Sequence, residues 1–151
     1  FPNGCHVVEV EIDRDTGAVT LARYTAVDDY GVLVNPLVAA GQAHGAMAQG
    51  AGQALLEQAV YDPASGQMLS ASLMDYALPR ADDLPAFDLG FNPTPCTTNP
   101  LGVKGCGEAG AIAAFPAIAN AILDALAPFG IDSIEGAATP HRLWQLLEEF
   151  A

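Results

Sequence analysis

Positive charge is what this sequence has least of. Five Lys and Arg stand against eighteen Asp and Glu, a formal net charge of −13, and Lys104 is the single lysine. A chain this acidic repels phosphate backbones and anionic lipid, which excludes nucleic-acid binding through a basic face and docking on an anionic membrane surface. Cysteine is scarce too. Cys5, Cys96 and Cys106 are odd in number and widely spaced, which argues against a disulfide framework and for reduced thiols in a cytoplasmic protein. His6, His44 and His141 show no ligand spacing, so no structural metal is expected. The first twenty residues have neither the basic stretch nor the apolar core of a signal peptide. The longest apolar run, residues 109–119, falls short of the ~20 residues a membrane span needs, so no span is expected.

What is present is small and apolar. Hydrophobic residues make up 51% and charged residues 15%, where ~25% charged is usual, and this excludes a disordered acidic tail. Alanine and glycine supply 28 and 15 residues, so the core is expected to rely on close backbone approach. The 151 residues are one domain's worth at ~150 residues per domain, and a single domain over 1–151 is expected.

Along the chain, Val8, Val10 and Ile12 alternate with acidic residues and Asp13–Gly17 is turn chemistry, so residues 6–28 read as a hairpin. Asn35-Pro36 is an N-cap followed by a first-turn proline and opens a helix to about Gln58. A further strand is expected near residues 68–76. Residues 79–104, with five prolines, read as a long irregular loop, which in a compact domain is usually functional or disordered. A helix over 110–126 must accommodate Pro116, and Thr139-Pro140 opens a last helix ending near Phe150. The class is α+β with an antiparallel sheet.

Two stretches carry candidate chemistry. On the first helix Gly41, Gly45, Ala48 and Gly52 make one bare stripe, and Gln42, Gln49 and Gln53 make another about 100° around. The stripe is either a groove for tight helix packing or a ligand surface. Gln42, nearest the helix start, is either solvated or a ligand contact, since an amide can donate and accept at once. The second stretch is Asn99–Gly110. Residues 105–110 fit G-x-G-x-x-G, yet a Pro-rich loop precedes them where a dinucleotide fingerprint needs a strand. Lys104 likewise lies on the wrong side of the glycines for a phosphate-binding P-loop. Glycines nevertheless let backbone N–H groups approach a ligand. Glu108 enters a helix there, either as a residue compensating the dipole or as a general base poised between dipole and burial. Asp28-Asp29 and Asp82-Asp83 read as turn and surface residues, and Tyr76 and Trp144 as core or interface aromatics.

The segment Gly102-Val103-Lys104-Gly105-Cys106-Gly107-Glu108-Ala109-Gly110 resembles G-V-K-G-x-G-E-x-G of the xanthine oxidase family of molybdenum hydroxylases, in particular the large subunit of aerobic carbon monoxide dehydrogenase-type enzymes. Pro2-Asn3-Gly4, Asp15-Thr16-Gly17, Val27-Asp28-Asp29, Asn35-Pro36, Gly41-Gln42, Gln49–Leu55, Asp75–Pro79 and Asn120–Leu126 follow the family's order. The resemblance implies that Glu108 is the general base beside molybdenum. It also implies that Gln42 hydrogen-bonds near the metal, and that Lys104, Gly105, Cys106 and Gly107 lie against the molybdopterin. Further implications are molybdopterin cytosine dinucleotide as the cofactor, with iron–sulfur clusters and FAD on partner subunits, and hydroxylation of an aldehyde, N-heterocycle or similar small molecule. Two departures stand out. Cys106 occupies a position that is commonly small and apolar, such as valine. The chain is also several times shorter than family large subunits, so it reads as a C-terminal fragment whose remaining site belongs to the rest of the subunit, inactive in isolation. The rival readings are a stand-alone binding or assembly module and, more weakly, a dinucleotide-binding protein.

Overall fold

The computed structural model describes residues 1–149. Strands β1 (Asn3–Ile12) and β2 (Val19–Asp29) form the expected hairpin. The turn between them is built on Asp13, whose side chain accepts from the amides of Asp15 and Thr16, and on Gly17 with φ +70. A bulge between Glu9 and Val10 leaves Ala22 unpaired and re-aims the strand. Along β1 one face is half-buried, while Cys5, Val7, Glu9 and Glu11 stay exposed.

Helix α1 (Pro36–Leu55) starts as its sequence dictates: the side chain of Asn35 accepts from the Val38 amide and Pro36 fills the first turn. It stops at Leu55, short of Gln58, where the amides of Leu56 and Glu57 both turn back to the Gly52 carbonyl. Helix α2 (Ala109–Leu126) runs through Pro116, which is exposed, and helix α3 spans Pro140–Glu149. The expected end at Phe150 lies outside the described residues. Buried positions on α2 recur every four residues, from Gly110 through Ala114, Ile118 and Ile122 to Leu126. They face Ala43, Met47 and Ala51 of α1 in one cluster that also takes in Leu21, Tyr24 and Ala26 of β2 and Leu143 of α3.

The close backbone approach expected from the composition lies at this helix pair. A Cβ on Gly50 would come 2.4 Å from that of Ala114, and one on Gly110 2.9 Å from that of Ala46. Of the stripe, Gly41 and Gly45 do not serve this packing, since a Cβ at either would meet nothing within 4 Å, while Gly52 is close to Pro79 instead.

Four expectations need correction. No strand occupies residues 68–76: Met68 makes an isolated bridge to Tyr61, and turns follow, held by Ser72, whose carbonyl accepts from Asp75 and Tyr76. The third strand is instead β3 (Phe87–Phe91), inside the stretch read as an irregular loop and preceded by a 3-10 turn at Ala81–Asp83. It pairs parallel to β2, so the sheet has the order β1-β2-β3 and is mixed rather than antiparallel. Five residues bracketed by prolines are too short for periodicity to reveal. Finally, the segment Ala109–Phe129, 21 residues of mean hydropathy 1.6, is long and apolar enough to cross a membrane. One row of it packs against α1 and the sheet. The class remains α+β.

Candidate cofactor and base site

The glycine loop is anchored at one end and bare at the other. Asn99 closes its first turn, donating from its amide nitrogen to the Val103 carbonyl at 3.0 Å and accepting from the Val103 amide at 3.2 Å. The Gly102 carbonyl accepts from Val32 and Cys96, and the Lys104 amide donates to the Tyr30 carbonyl. Gly31 and Gly102 meet here with φ of +65 and +67. A Cβ on Gly31 would lie 2.4 Å from the Gly102 carbonyl oxygen, so only glycine allows the contact.

Beyond Lys104 the glycines stand open. Gly105 and Gly107 are exposed, and a Cβ on either would meet nothing within 4 Å. Cys106 is half-buried and lines an apolar hollow of about 210 Å³ with Tyr30, Val34, Val38 and Ala39. Glu108 follows as the residue capping α2. It is exposed, and among the described residues its carboxylate has no hydrogen-bond or ion-pair partner. The burial expected around Glu108 is therefore not supplied by this chain, and the expected place at the N-terminal end of α2 is.

The structure brings most of the candidate residues to one place. Gly110 touches the Ala43 backbone, and Gln42 and Glu108 lie one and two residues from that contact. Gln42 is exposed, on the half of α1 that meets the loop, while Gln49 and Gln53 lie further along the helix, exposed as well. A larger hollow of about 520 Å³ beside Leu73, Tyr76 and Arg80 takes none of its lining from the glycine loop. Tyr76 is half-buried and donates its hydroxyl to Glu57, and Trp144 is exposed and stacked on His141.

Lys104 is turned away from the bare end. Its ammonium is 2.5 Å from Oδ2 of Asp29, and both side chains are nearly buried. Asp29 also accepts from the amides of Gly31 (2.8 Å) and Thr94 (2.9 Å). The Lys104 hydrogen bond first, then the Thr94 and Gly31 amides, hold its carboxyl well below the usual carboxylate range. Its neighbour Asp28 is buried on the other side. There it accepts from the Tyr30 hydroxyl at 2.6 Å and meets His6 Nε2 at 3.2 Å, while His6 Nδ1 meets the Tyr24 hydroxyl at 2.7 Å. Burial first and Asp28 next push both phenols above their usual range, so they remain donors. One tautomer then satisfies the chain, with Tyr24 donating to Nδ1 and Nε2–H donating to Asp28.

Asp28-Asp29 is thus no surface turn. The pair is buried because β2 continues through it, with Tyr24, Ala26 and Asp28 on one inward row. Extending the strand's alternation past residue 27 was the signal that would have found it. Asp82 and Asp83 are exposed, as expected.

The chain matches the molybdopterin cofactor-binding domain family over residues 1–85. It is 42% identical over 143 residues to the nicotine 6-hydroxylase large subunit of Paenarthrobacter nicotinovorans, covering 95% of this chain and 17% of that protein. It is 35% identical over 149 residues to the carbon monoxide dehydrogenase large chain of Hydrogenophaga pseudoflava, covering 99% and 18%. The crystal structure of quinoline 2-oxidoreductase from Pseudomonas putida 86 superposes with a TM-score of 0.91 at 38% identity, over 98% of this chain and 19% of that one. This chain therefore spans less than a fifth of the length of these relatives. Residues, fold and relatives agree: the chain belongs to the molybdopterin cofactor-binding domain family.

Proposed function

We propose that this chain forms the base-bearing wall of the molybdenum site in a hydroxylase of that family, with Glu108 as the general base. The observation that carries the reading is the contrast within one loop. The side chains of Asn99 and Lys104 are both engaged, and the carboxylate at the far end has no partner among the described residues. The residues suit a pterin cofactor: Gly105 and Gly107 offer backbone with open space where side chains would stand, and the amides opening α2 favour an anion. The backbone of Gly105, Cys106 and Gly107, bounded by Lys104, and the Gln42 amide would hold it. When bound, the cofactor supplies a water-derived oxygen and takes up the two electrons of the hydroxylation. Glu108 then accepts the proton on a carboxylate oxygen.

The same reading assigns an aldehyde, N-heterocycle or similar small molecule as substrate and molybdopterin cytosine dinucleotide as the cofactor form. It assigns iron–sulfur and FAD units and the remainder of the large subunit as partners. A cytoplasmic location has the three free thiols as its support. The test is Glu108→Gln in the full-length, molybdenum-loaded protein. Turnover should fall ~10²–10⁴-fold at unchanged molybdenum content; a loss of less than tenfold would overturn the assignment.

A further inference from the structure

Asp29 gathers donors from four separate parts of the chain. Oδ1 takes the Gly31 and Thr94 amides. Oδ2 takes the Lys104 ammonium and, at 3.4 Å, the Asn3 side-chain amide. These donors lie at the start of β1, just after β2, just after β3 and at the root of the glycine loop. Three of the four are separated from Asp29 by 26, 65 and 75 residues. A single carboxylate therefore ties the sheet, the Pro-rich segment and the loop together at one point.

Only one residue of the bare stretch has a side chain, Cys106, so packing between Lys104 and Glu108 rests on that single half-buried thiol against the core. The loop is otherwise held at its two ends: at Lys104 by Asp29, and at Gly110 by the close contact with Ala43 and Ala46. Releasing the Lys104 end frees the loop side of Glu108, whose other side stays tied to the first turn of α2 by its carbonyl, which accepts from the Ala111 and Ile112 amides.

We propose that Asp29 and Lys104 form a positioning pair that sets the glycine loop, and through it Glu108, against the cofactor. The proposal rests on the assignment of Glu108 as base. Lys104 in this account does not neutralise a phosphate, since its charge is already matched inside the fold, and neither residue touches a reacting atom. Breaking the pair should displace the loop without unfolding the sheet, because the other three donors to Asp29 remain.

The experiment uses the full-length, molybdenum-loaded protein with Lys104→Met, Lys104→Arg and Asp29→Asn, read by steady-state kinetics and by amide hydrogen exchange. Lys104→Met should lower kcat at least about tenfold with KM within about twofold, the split expected of an interaction made only in the transition state. Exchange across residues 102–108 should accelerate, while β1 and β2 keep their protection. Lys104→Arg, which restores a cationic donor, should recover loop protection and most of kcat. Asp29→Asn keeps an acceptor for the Gly31 and Thr94 amides and should reproduce the Lys104→Met phenotype, so the proposal stays testable if the methionine variant does not fold. Unchanged loop exchange, or exchange accelerated equally throughout, overturns the positioning role. Turnover that survives Glu108→Gln while the exchange pattern holds overturns the base assignment instead, and leaves the anchoring of the loop standing.

Discussion

The carboxylates at the end of β2 and the carboxylate at the start of α2 are the same chemical group in opposite circumstances. Asp28 and Asp29 are buried, and between them they engage His6, Tyr30, Lys104 and two backbone amides. Glu108 is exposed and has no partner among the described residues. A buried carboxylate short of donors is costly, so the fold saturates the first two. A carboxylate that must take up and release a proton is useful only while its lone pairs are free, and the third is left that way. In so acidic a chain the count of acids is uninformative, and the difference in their partners separates framework from chemistry.

That comparison can be broken from either side. The largest effect should come from Glu108→Gln, which is expected to abolish most turnover while leaving the thermal midpoint of the full-length protein within a degree or so, checked by scanning calorimetry beside the kinetics. Asp28→Ala should do the reverse. It strands the Tyr30 hydroxyl and His6 Nε2 in the interior at about 1–3 kcal/mol for each orphaned group, visible as lost exchange protection along β1 and β2.

At Asp29 the expectation concerns pH. Its carboxyl is held low in the folded state, so its stabilisation is complete above the unfolded value of ~3.9 and disappears as pH falls toward the folded value. The stability gap between wild type and Asp29→Asn should therefore be wide at neutral pH and narrow below about pH 4, measured by denaturant midpoints across that range. Gly110→Ala, which forces a methyl against Ala46, should cost about 1–3 kcal/mol through overpacking. A smaller penalty would mean that the two helices can slide apart. Asn35→Ala, which removes the cap of α1, should cost about 1 kcal/mol, and it touches neither carboxylate group.

Where a local rule governs an element, the sequence shows it. The hairpin follows from alternation plus Asp13–Gly17, and the start of α1 from Asn35-Pro36. The glycine loop with Glu108 stood out by composition and by family resemblance. What escaped is settled by distant partners. Strand β3 exists because β2 offers it an edge to pair with, and five residues among prolines carry no period of their own. Asp29 becomes buried because Thr94 and Lys104, 65 and 75 residues away, arrive to satisfy it. The stripe of Gly41, Gly45, Ala48 and Gly52 was legible as a pattern, yet its packing explanation holds only at Gly52, against Pro79; Gly41 and Gly45 meet nothing, and the close helix contacts fall at Gly50 and Gly110.

The small residues behind Glu108 have a kinetic meaning. Glycine and alanine have no side-chain torsion that moves a heavy atom, so the seam formed by Gly110, Ala43 and Ala46 cannot rearrange by switching rotamers. Side chains along the same row grow with distance from the base, through Ala114 to Ile118, Ile122 and Leu126. Rotameric breathing of the helix pair is thereby confined to its far end. The first turn of α2 works as a fixed bearing, and fast motion of the Glu108 carboxylate is left to its own three torsions rather than to the helix beneath it.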